Sequence, residues 1–255
     1  MSAPGNYNAM ELYPLRSLAT VLPRFQPPRG AFDPAGSWRN VYGVYTLASR
    51  TGPAARRVGS LAVERSAGSD GQAAWKVSYG KTLAGGTQKV SGELHGPADD
   101  ALAAPRSWSF RIRLLDGAGR ALARANVDGR AACRDGEVTV AYGAQRRAFH
   151  VPGRYTVNWC LFDAVQRLGG KGRKPISFTL IDHFDQPKPG TSLAFRAENV
   201  VAVAGGRALR TQAYEQLGPG NVPWVYWVDG RGQLLFVVAG LEGYVLETKP
   251  AGGKP

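Results

Sequence analysis

The stretch Val222-Pro-Trp-Val-Tyr-Trp-Val-Asp-Gly-Arg-Gly-Gln-Leu-Leu-Phe-Val-Val-Ala239 decides the fold. Two runs rich in β-branched and aromatic residues, joined by a short glycine-rich connection, predict an antiparallel hairpin. The first run is apolar on both faces, because Trp224 and Tyr226 point to one side while Val225 and Trp227 point to the other. A strand of this kind must be covered on both sides. We therefore expect a β-rich fold whose concave side is filled.

Short predicted strands at nearly regular spacing precede this hairpin. Glycine-rich connections separate them, and we expect tight turns at Asp116-Gly-Ala-Gly119 and Asp128-Gly129. This spacing favours a meander in a sandwich or barrel over alternating strands and helices. The predicted strands are Val41–Leu47, Val58–Arg65, Ala74–Tyr79, Thr87–Leu94, Trp108–Leu115, Ala121–Val127 and Glu137–Tyr142.

One strong helix is predicted, over Trp159–Leu168. Asn158 is its expected N-cap, and Gly169-Gly170 its expected end. Asp163 and Arg167 form an i, i+4 pair on one side. The opposite side carries an apolar stripe that we expect to face the sheet, made of Leu161, Val165 and Leu168.

These elements predict a mainly β fold. We expect a curved antiparallel sheet or half-barrel meander, with the amphipathic helix covering its concave face. The expected organisation is a proline-rich extended lead-in over residues 1–36, a single β-rich domain over 37–248 and a flexible tail over 249–255.

The order of these elements carries a resemblance. A strand meander is followed by the helix Cys160-Leu-Phe-Asp-Ala-Val-Gln-Arg-Leu168, and then by strands that end in Trp227-Val-Asp229 and a turn. This order resembles bacterial proteins of unknown function whose fold is similar to that of the periplasmic lipoprotein carriers. The resemblance spans roughly residues 41–246 and implies a half-barrel around an apolar cavity, with no catalytic set.

The N-terminus bears on the compartment. Met1–Asn8 lacks the charged start and apolar core of a secretory leader, so we expect a cytoplasmic protein as the sequence stands, or a periplasmic one if a leader was trimmed. No apolar run reaches the ~18 residues of a membrane span. The two cysteines, Cys133 and Cys160, leave open whether a disulfide forms.

The formal net charge of +13 is concentrated in residues 106–154, where ten arginines face four acidic residues. Arg111 and Arg113 alternate with apolar residues, which is typical of the solvated face of a half-buried strand. The alternative is an arginine-lined surface for an anion. The charge is accompanied by no zinc-finger spacing, recognition-helix pattern or RNA-binding signature, which argues against a nucleic-acid partner.

The segment Ile176–Gln186 contains the candidate catalytic groups. If it is one alternating strand, Asp182 shares a face with Phe178, while His183 and Asp185 share the other. A polar strand end, a general acid/base site and a metal site are all open interpretations. No metal-ligand spacing and no cofactor motif occurs, so we expect neither a metal nor a cofactor.

Two functions follow. The first is binding of an apolar or amphipathic, possibly anionic, small ligand, with Arg111 and Arg113 holding an anionic head. The second is lyase or isomerase chemistry by proton transfer on a carboxylate-bearing substrate, carried by His183, Asp185, Asp182 and Tyr214. Neither the enzyme question nor the oligomeric state is decided by the sequence. The expected cavity wall is aromatic and consists of Trp224, Tyr226, Trp227 and Phe236.

Overall fold

The structure is a computed structural model, and it describes residues 14–47, 55–83, 85–122, 125–169 and 174–248. The tail 249–255 and the first thirteen residues of the lead-in lie outside the described residues. Fifteen strands make up most of the described chain: β1 (Trp38–Thr46), β2 (Arg56–Ala67), β3 (Gln72–Leu83), β4 (Gly86–Pro97), β5 (Ser107–Leu115), β6 (Val127–Arg134), β7 (Glu137–Tyr142), β8 (Gln145–His150), β9 (Tyr155–Val157), β10 (Ile176–Asp182), β11 (Gln186–Ala202), β12 (Ala208–Leu217), β13 (Trp224–Asp229), β14 (Leu234–Ala239) and β15 (Glu242–Leu246).

All fifteen strands form one sheet, in the order β8-β7-β6-β5-β4-β3-β2-β1-β15-β14-β13-β12-β11-β10-β9. Every pair is antiparallel except β9 with β10, which is parallel. Two meanders are therefore joined where β1 pairs with β15. Register shifts in the β1–β2, β10–β11, β11–β12 and β13–β14 pairs increase the local bend of the sheet. The predicted mainly β fold, a curved sheet that is not closed and contains one helix, is confirmed.

The helix fills the concave side of the sheet. A 3₁₀ turn over Asn158–Cys160 leads into α1 (Leu161–Arg167), and the side chains from Leu161 to Gln166 are all buried. The ring of Phe162 makes edge-on contacts with Tyr42, Tyr226 and Tyr244 at centroid distances of 5.5–6.1 Å. We call the sheet face that contacts α1 the inner face.

The helix is a central plug with no solvated side. Its predicted apolar stripe is buried as expected, but Asp163 on the opposite side is buried too. The predicted N-cap is wrong, because the Asn158 side chain caps nothing and its Oδ1 has no hydrogen-bond partner among the described residues. Gly169, with φ +55°, takes the left-handed conformation usual just after a helix. Gly170 lies outside the described residues.

An ionic cluster compensates for the burial of Asp163. Its Oδ2 accepts a 2.8 Å bond from Arg167, and its Oδ1 lies 3.4 Å from the Arg65 Nε. Arg65, itself 1% exposed, donates to the carbonyls of Gly36 and Ala98. Desolvation raises the pKa of Asp163, while the two arginines oppose that shift. The cluster ties α1 to β2 and to the segment before β1.

The outer face of the final hairpin is covered by the segment 14–36. Leu15 and Leu18 are buried, and the Phe25 ring meets Phe236 edge-on at 4.6 Å. Arg231, in the β13–β14 turn, donates to the Pro28 carbonyl at 3.1 Å. These contacts explain why the strands quoted first are apolar on both faces: α1 covers one face and the N-terminal segment covers the other.

Two predicted elements between β5 and β7 are wrong. Of the predicted strand Ala121–Val127, Ala121 makes only an isolated bridge to Leu115 and Val127 begins β6, while residues 123 and 124 lie outside the described residues. Asp128-Gly129 is not a turn, since both residues pair with β5 inside β6. The tight turn lies at Asp135-Gly136, where φ is positive at both residues. Cys133 and Cys160 are both free.

Candidate functional site

The turn between β10 and β11 has an unusual backbone. His183 and Phe184 have φ values of +48° and +73°, in the left-handed region that residues other than glycine rarely adopt. Such a conformation costs free energy and persists only when the surrounding structure enforces it. Phe184 is fully buried, so its packing supplies that enforcement.

Phe184 docks this turn onto the inner face of β4–β6. Its ring stacks on Phe110 with centroids 5.0 Å apart and planes 2° apart. Its carbonyl oxygen accepts a 3.0 Å hydrogen bond from the indole of Trp108. We call this arrangement the Phe184 lock. It bridges two distant regions of the sheet, because β10 and β11 stand near one end of the strand order and β4–β6 near the other.

Two glycines make room for the lock. Gly92 and Gly129 pair with Phe110 from the strands on either side. A Cβ at Gly92 would lie 2.7 Å from the Phe184 ring, and a Cβ at Gly129 would lie 2.2 Å from the Phe110 ring. Both rings therefore occupy space that only glycine leaves free.

A cleft of about 670 Å³ opens beside the lock. Phe110, Ile112 and Val127 supply apolar lining. Hydrogen-bonding groups from β4, the β5–β6 connection, β6, the β7–β8 hairpin and the 183–186 region complete it. These polar residues are Gln88, Asn126, Asp128, Tyr142, Gln145, His183, Asp185 and Gln186.

The Tyr142 hydroxyl donates a short hydrogen bond to the Asp185 carboxylate within this cleft. Burial is the main cause that raises the pKa of Tyr142 well above its usual range, and the bond to Asp185 adds to it. The nearby guanidinium of Arg147 acts in the opposite direction. Tyr142 is therefore a neutral phenol at physiological pH, and it holds Asp185 in place.

The predicted catalytic residues are partly brought together. His183 and Asp185 both line the cleft. Asp182 is absent from the lining and instead accepts a 2.7 Å ion-pair contact from Lys188. Tyr214 is buried against Phe195, and its hydroxyl lies 3.4 Å from the Gln212 side chain.

The face assignments predicted for residues 176–186 are wrong beyond Asp182. The strand ends there, and the left-handed turn replaces the alternation on which the prediction depended. Phe184 is therefore buried, while the His183 side chain is 55% exposed. The carboxylate nearest to the His183 ring is that of Asp182, at 3.9 Å.

The predicted aromatic wall is divided between the two faces of the sheet. Trp224 and Tyr226 lie on the inner face, where both rings contact Phe162 of α1. Trp227 and Phe236 lie on the outer face, where the Trp227 indole donates to Asn199 at 3.0 Å and Phe236 contacts the N-terminal segment. None of the four lines the cleft. Packed neighbours occupy the faces that were expected to meet a ligand.

The two predicted anion-binding arginines share one carboxylate. Arg111 and Arg113 donate to Asp128 at 2.8 Å and 2.7 Å. These bonds hold the pKa of Asp128 below its ordinary value. Arg111 belongs to the outer surface, where it lines a second, larger groove of about 770 Å³ with Lys76 and Glu93. The lining of that groove mixes both signs of charge.

Tyr142 is the site residue that sequence reasoning missed. The available signal was indirect: glycines inside the strand patterns at 92 and 129 mark places where another group approaches the backbone closely. Nothing local identifies Tyr142 as the partner of Asp185, forty-three residues away. Among the described residues, no cluster of three or more His, Cys, Asp or Glu side chains could hold a metal ion.

Comparisons with known proteins concern the fold alone. The chain is similar to a beta-barrel-like protein of the domain of unknown function DUF1849 from Brucella abortus, with a TM-score of 0.56 and 13% identity over 83% of this chain and 96% of that one. A DUF1089 family protein from Pseudomonas aeruginosa aligns with a TM-score of 0.35 and 15% identity over 86% and 97% of the two chains. No protein-family model and no curated protein matches. No helix within the described ranges is long and apolar enough to cross a membrane. The chain thus shares a beta-barrel-like fold with the Brucella abortus protein, which contains a domain of unknown function.

Proposed function

We propose that this protein binds a small amphipathic molecule in the cleft beside the Phe184 lock. The observation that carries the proposal is the composition of that cleft, which combines apolar side chains with hydrogen-bonding groups around them. Small-molecule sites are mostly apolar clefts of roughly 300–1,000 Å³ with a few polar groups, and this cleft falls within that range.

The lock supports the proposal in a second way. Backbone strain at two consecutive residues is retained at His183 and Phe184. That strain presents His183 and Asp185 to the cleft, and strain of this kind concentrates at ligand sites. A pre-organised site loses little conformational entropy when a ligand binds.

The proposal includes no preference for an anion. Asp128 already forms ion pairs with both Arg111 and Arg113, so an anionic head group would have to compete with a carboxylate that both arginines hold. The resemblance to bacterial proteins of unknown function with a lipoprotein-carrier-like fold implies an apolar cavity, and the amphipathic lining of the cleft supports a ligand with one polar end.

A binding assay with a matched pair of variants tests this function. N-phenyl-1-naphthylamine, a neutral probe whose fluorescence rises in apolar surroundings, is titrated into the protein. Ile112→Gln places an amide on the apolar lining, while Ser109→Gln places the same amide on the exposed side of the same strand. We expect Ile112→Gln to weaken binding about tenfold, which corresponds to about 1.4 kcal/mol. Equal affinity in both variants, with both folded by circular dichroism, would refute the proposed site.

A second candidate function is proton-transfer chemistry of a lyase or isomerase in the same cleft. The favouring observation is that Tyr142, bonded to Asp185, shares the cleft with His183. To test this candidate, the protein is incubated in deuterated water with each of a panel of small carboxylates. NMR then monitors the exchange of carbon-bound protons for deuterium. His183→Ala should abolish any such exchange without unfolding the protein, because the ring is mostly exposed. Full exchange in a folded His183→Ala variant would eliminate this candidate.

A further inference from the structure

The strand β8 stands at one end of the sheet order, next to β7 alone. It is joined to β7 by a two-residue turn at Gly143-Ala144, which fixes the hydrogen-bonding pattern along the strand. Tyr142 and Gln145 exchange the first pair of bonds, so Gln145, Arg147 and Phe149 bond to β7. The backbone groups of Arg146, Ala148 and His150 then point away from the sheet. In the described part of the chain, no other strand pairs with them.

This edge carries positive charge on both faces. Arg146 pairs with Ala141 and belongs to the outer face, while Arg147 pairs with Val140 and belongs to the inner face. Both side chains are exposed, and neither forms an ion pair within the described residues. Arg130 lies on the outer face of β6, two strands from β8, and pairs with Ala141 of the intervening strand β7. It also lacks an ion-pair partner within the described residues.

We propose that β8 is a docking edge for an extended acidic segment of another protein, which adds to the sheet as a sixteenth strand. An added strand would lie about 4.8 Å from β8 and would satisfy the outward backbone groups of Arg146, Ala148 and His150. Acidic side chains on its alternate faces would meet Arg146 on one side and Arg147 on the other. Charge complementarity selects this partner.

The same charges disfavour a second copy of this chain. Charged residues on an edge strand oppose pairing with an identical edge, because arginine would be placed opposite arginine. Arginines that prevent self-association of this edge would repel a second copy of β8. They would not repel an acidic strand. The docking edge consists of the outward backbone groups of Arg146, Ala148 and His150, none of which lines the cleft, although Gln145 of the same strand does.

Peptide binding to the full chain tests the inference by fluorescence anisotropy. The probe, called the Glu-Val peptide, is dye-labelled Glu-Glu-Val-Val-Glu-Glu-Val-Val, which presents glutamates on both faces of an added strand. The control, called the Glu-Pro peptide, has proline in place of each valine. Both carry the same charge, but proline cannot donate to a sheet. We expect the Glu-Val peptide to bind at least tenfold more tightly than the Glu-Pro peptide. Equal affinities would mean general charge attraction and would overturn the proposal.

Protein variants make the test specific to β8. Arg146→Ala with Arg147→Ala removes two charges from the edge, while Arg56→Ala with Arg210→Ala removes two exposed charges elsewhere. We expect about a tenfold loss of peptide affinity in the first pair and less than a twofold change in the second. Ala148→Pro should also abolish binding while keeping the β7–β8 pairing, since the lost N–H points outward. Three outcomes would each contradict the proposal. The two arginine double variants could lose equal affinity, or a folded Ala148→Pro variant could bind the peptide unchanged. The third is concentration-dependent dimerisation through this edge.

Discussion

Substitution of Gly92 by alanine tests the Phe184 lock most sharply. The added methyl group would lie 2.7 Å from two carbon atoms of the Phe184 ring, closer than packed carbon atoms ever stand. Phe184 is fully buried and stacked on Phe110, so the ring cannot move aside without disturbing a second ring. Overpacking of this kind costs about 1–3 kcal/mol. We expect Gly92→Ala to lower the free energy of unfolding by that amount.

The double-mutant cycle with Phe184→Ala isolates the contact. Removing the Phe184 ring alone should cost about 3–5 kcal/mol, as for other buried phenylalanines. In the double variant the methyl group added at position 92 enters the emptied space, so its clash disappears. The double variant should therefore lose about 1–3 kcal/mol less than the sum of the single losses.

Urea denaturation followed by circular dichroism measures these differences. Gly80→Ala is the matched control, because Gly80 also lies in a strand and no heavy atom stands within 4 Å of the position that its added methyl group would take. We expect that control to be neutral or slightly stabilising. Strictly additive losses for Gly92→Ala and Phe184→Ala would refute the reasoning, since the two residues would then not be in contact.

Three further predictions concern the core and the charge of the protein. Burial raises the pKa of tyrosines such as Tyr42 and Tyr244, so their contribution to stability is complete below about pH 10 and is lost as the pH rises beyond it. In an alkaline titration, phenolate absorbance should therefore increase together with the loss of the circular dichroism signal. Ionisation of these tyrosines while the protein is still folded would contradict this prediction. Asp163→Ala leaves the buried Arg65 without its carboxylate and should cost about 3–5 kcal/mol in urea denaturation. The exposed control Glu64→Ala should cost less than about 1 kcal/mol, and comparable losses in the two variants would contradict the role of the cluster. Generic duplex DNA should bind weakly and dissociate as salt rises to physiological levels in an anisotropy titration, whereas salt-tolerant, sequence-selective binding would contradict the view that the net charge is a surface property.

The parts of the fold that could be predicted are those with a local signal. The hairpin beginning at Trp224 combines runs rich in β-branched and aromatic residues with a Gly-rich turn, and α1 is marked by its apolar spacing and by Gly169. The strand pattern failed at Asp128-Gly129, because a glycine next to an aspartate usually marks a turn. Here the glycine accommodates the Phe110 ring from the neighbouring strand, which is a tertiary requirement.

The candidate site was predictable only in part. His183 and Asp185 stand out as polar residues after an apolar strand, and both do line the cleft. Their geometry was not predictable, because the left-handed turn exists only when Phe184 reaches β4–β6. The aromatic wall was misplaced for a related reason: the sequence shows that Trp227 is buried, but not that the N-terminal segment buries it.

The most direct test of the proposed binding cleft is an NMR titration with 1-octanol, a neutral amphipathic probe. The side-chain amide resonances of Gln88 and Gln186 and the indole resonance of Trp108, whose N–H donates to Phe184, report on the cleft and its lock. The indole resonance of Trp227, bonded to Asn199 on the other face, serves as an internal control. We predict saturable chemical-shift changes for Gln88, Gln186 and Trp108, and no change in the Trp227 indole resonance. Absence of saturable shifts at Gln88 and Gln186, or shifts confined to residues of the outer groove, would contradict the account.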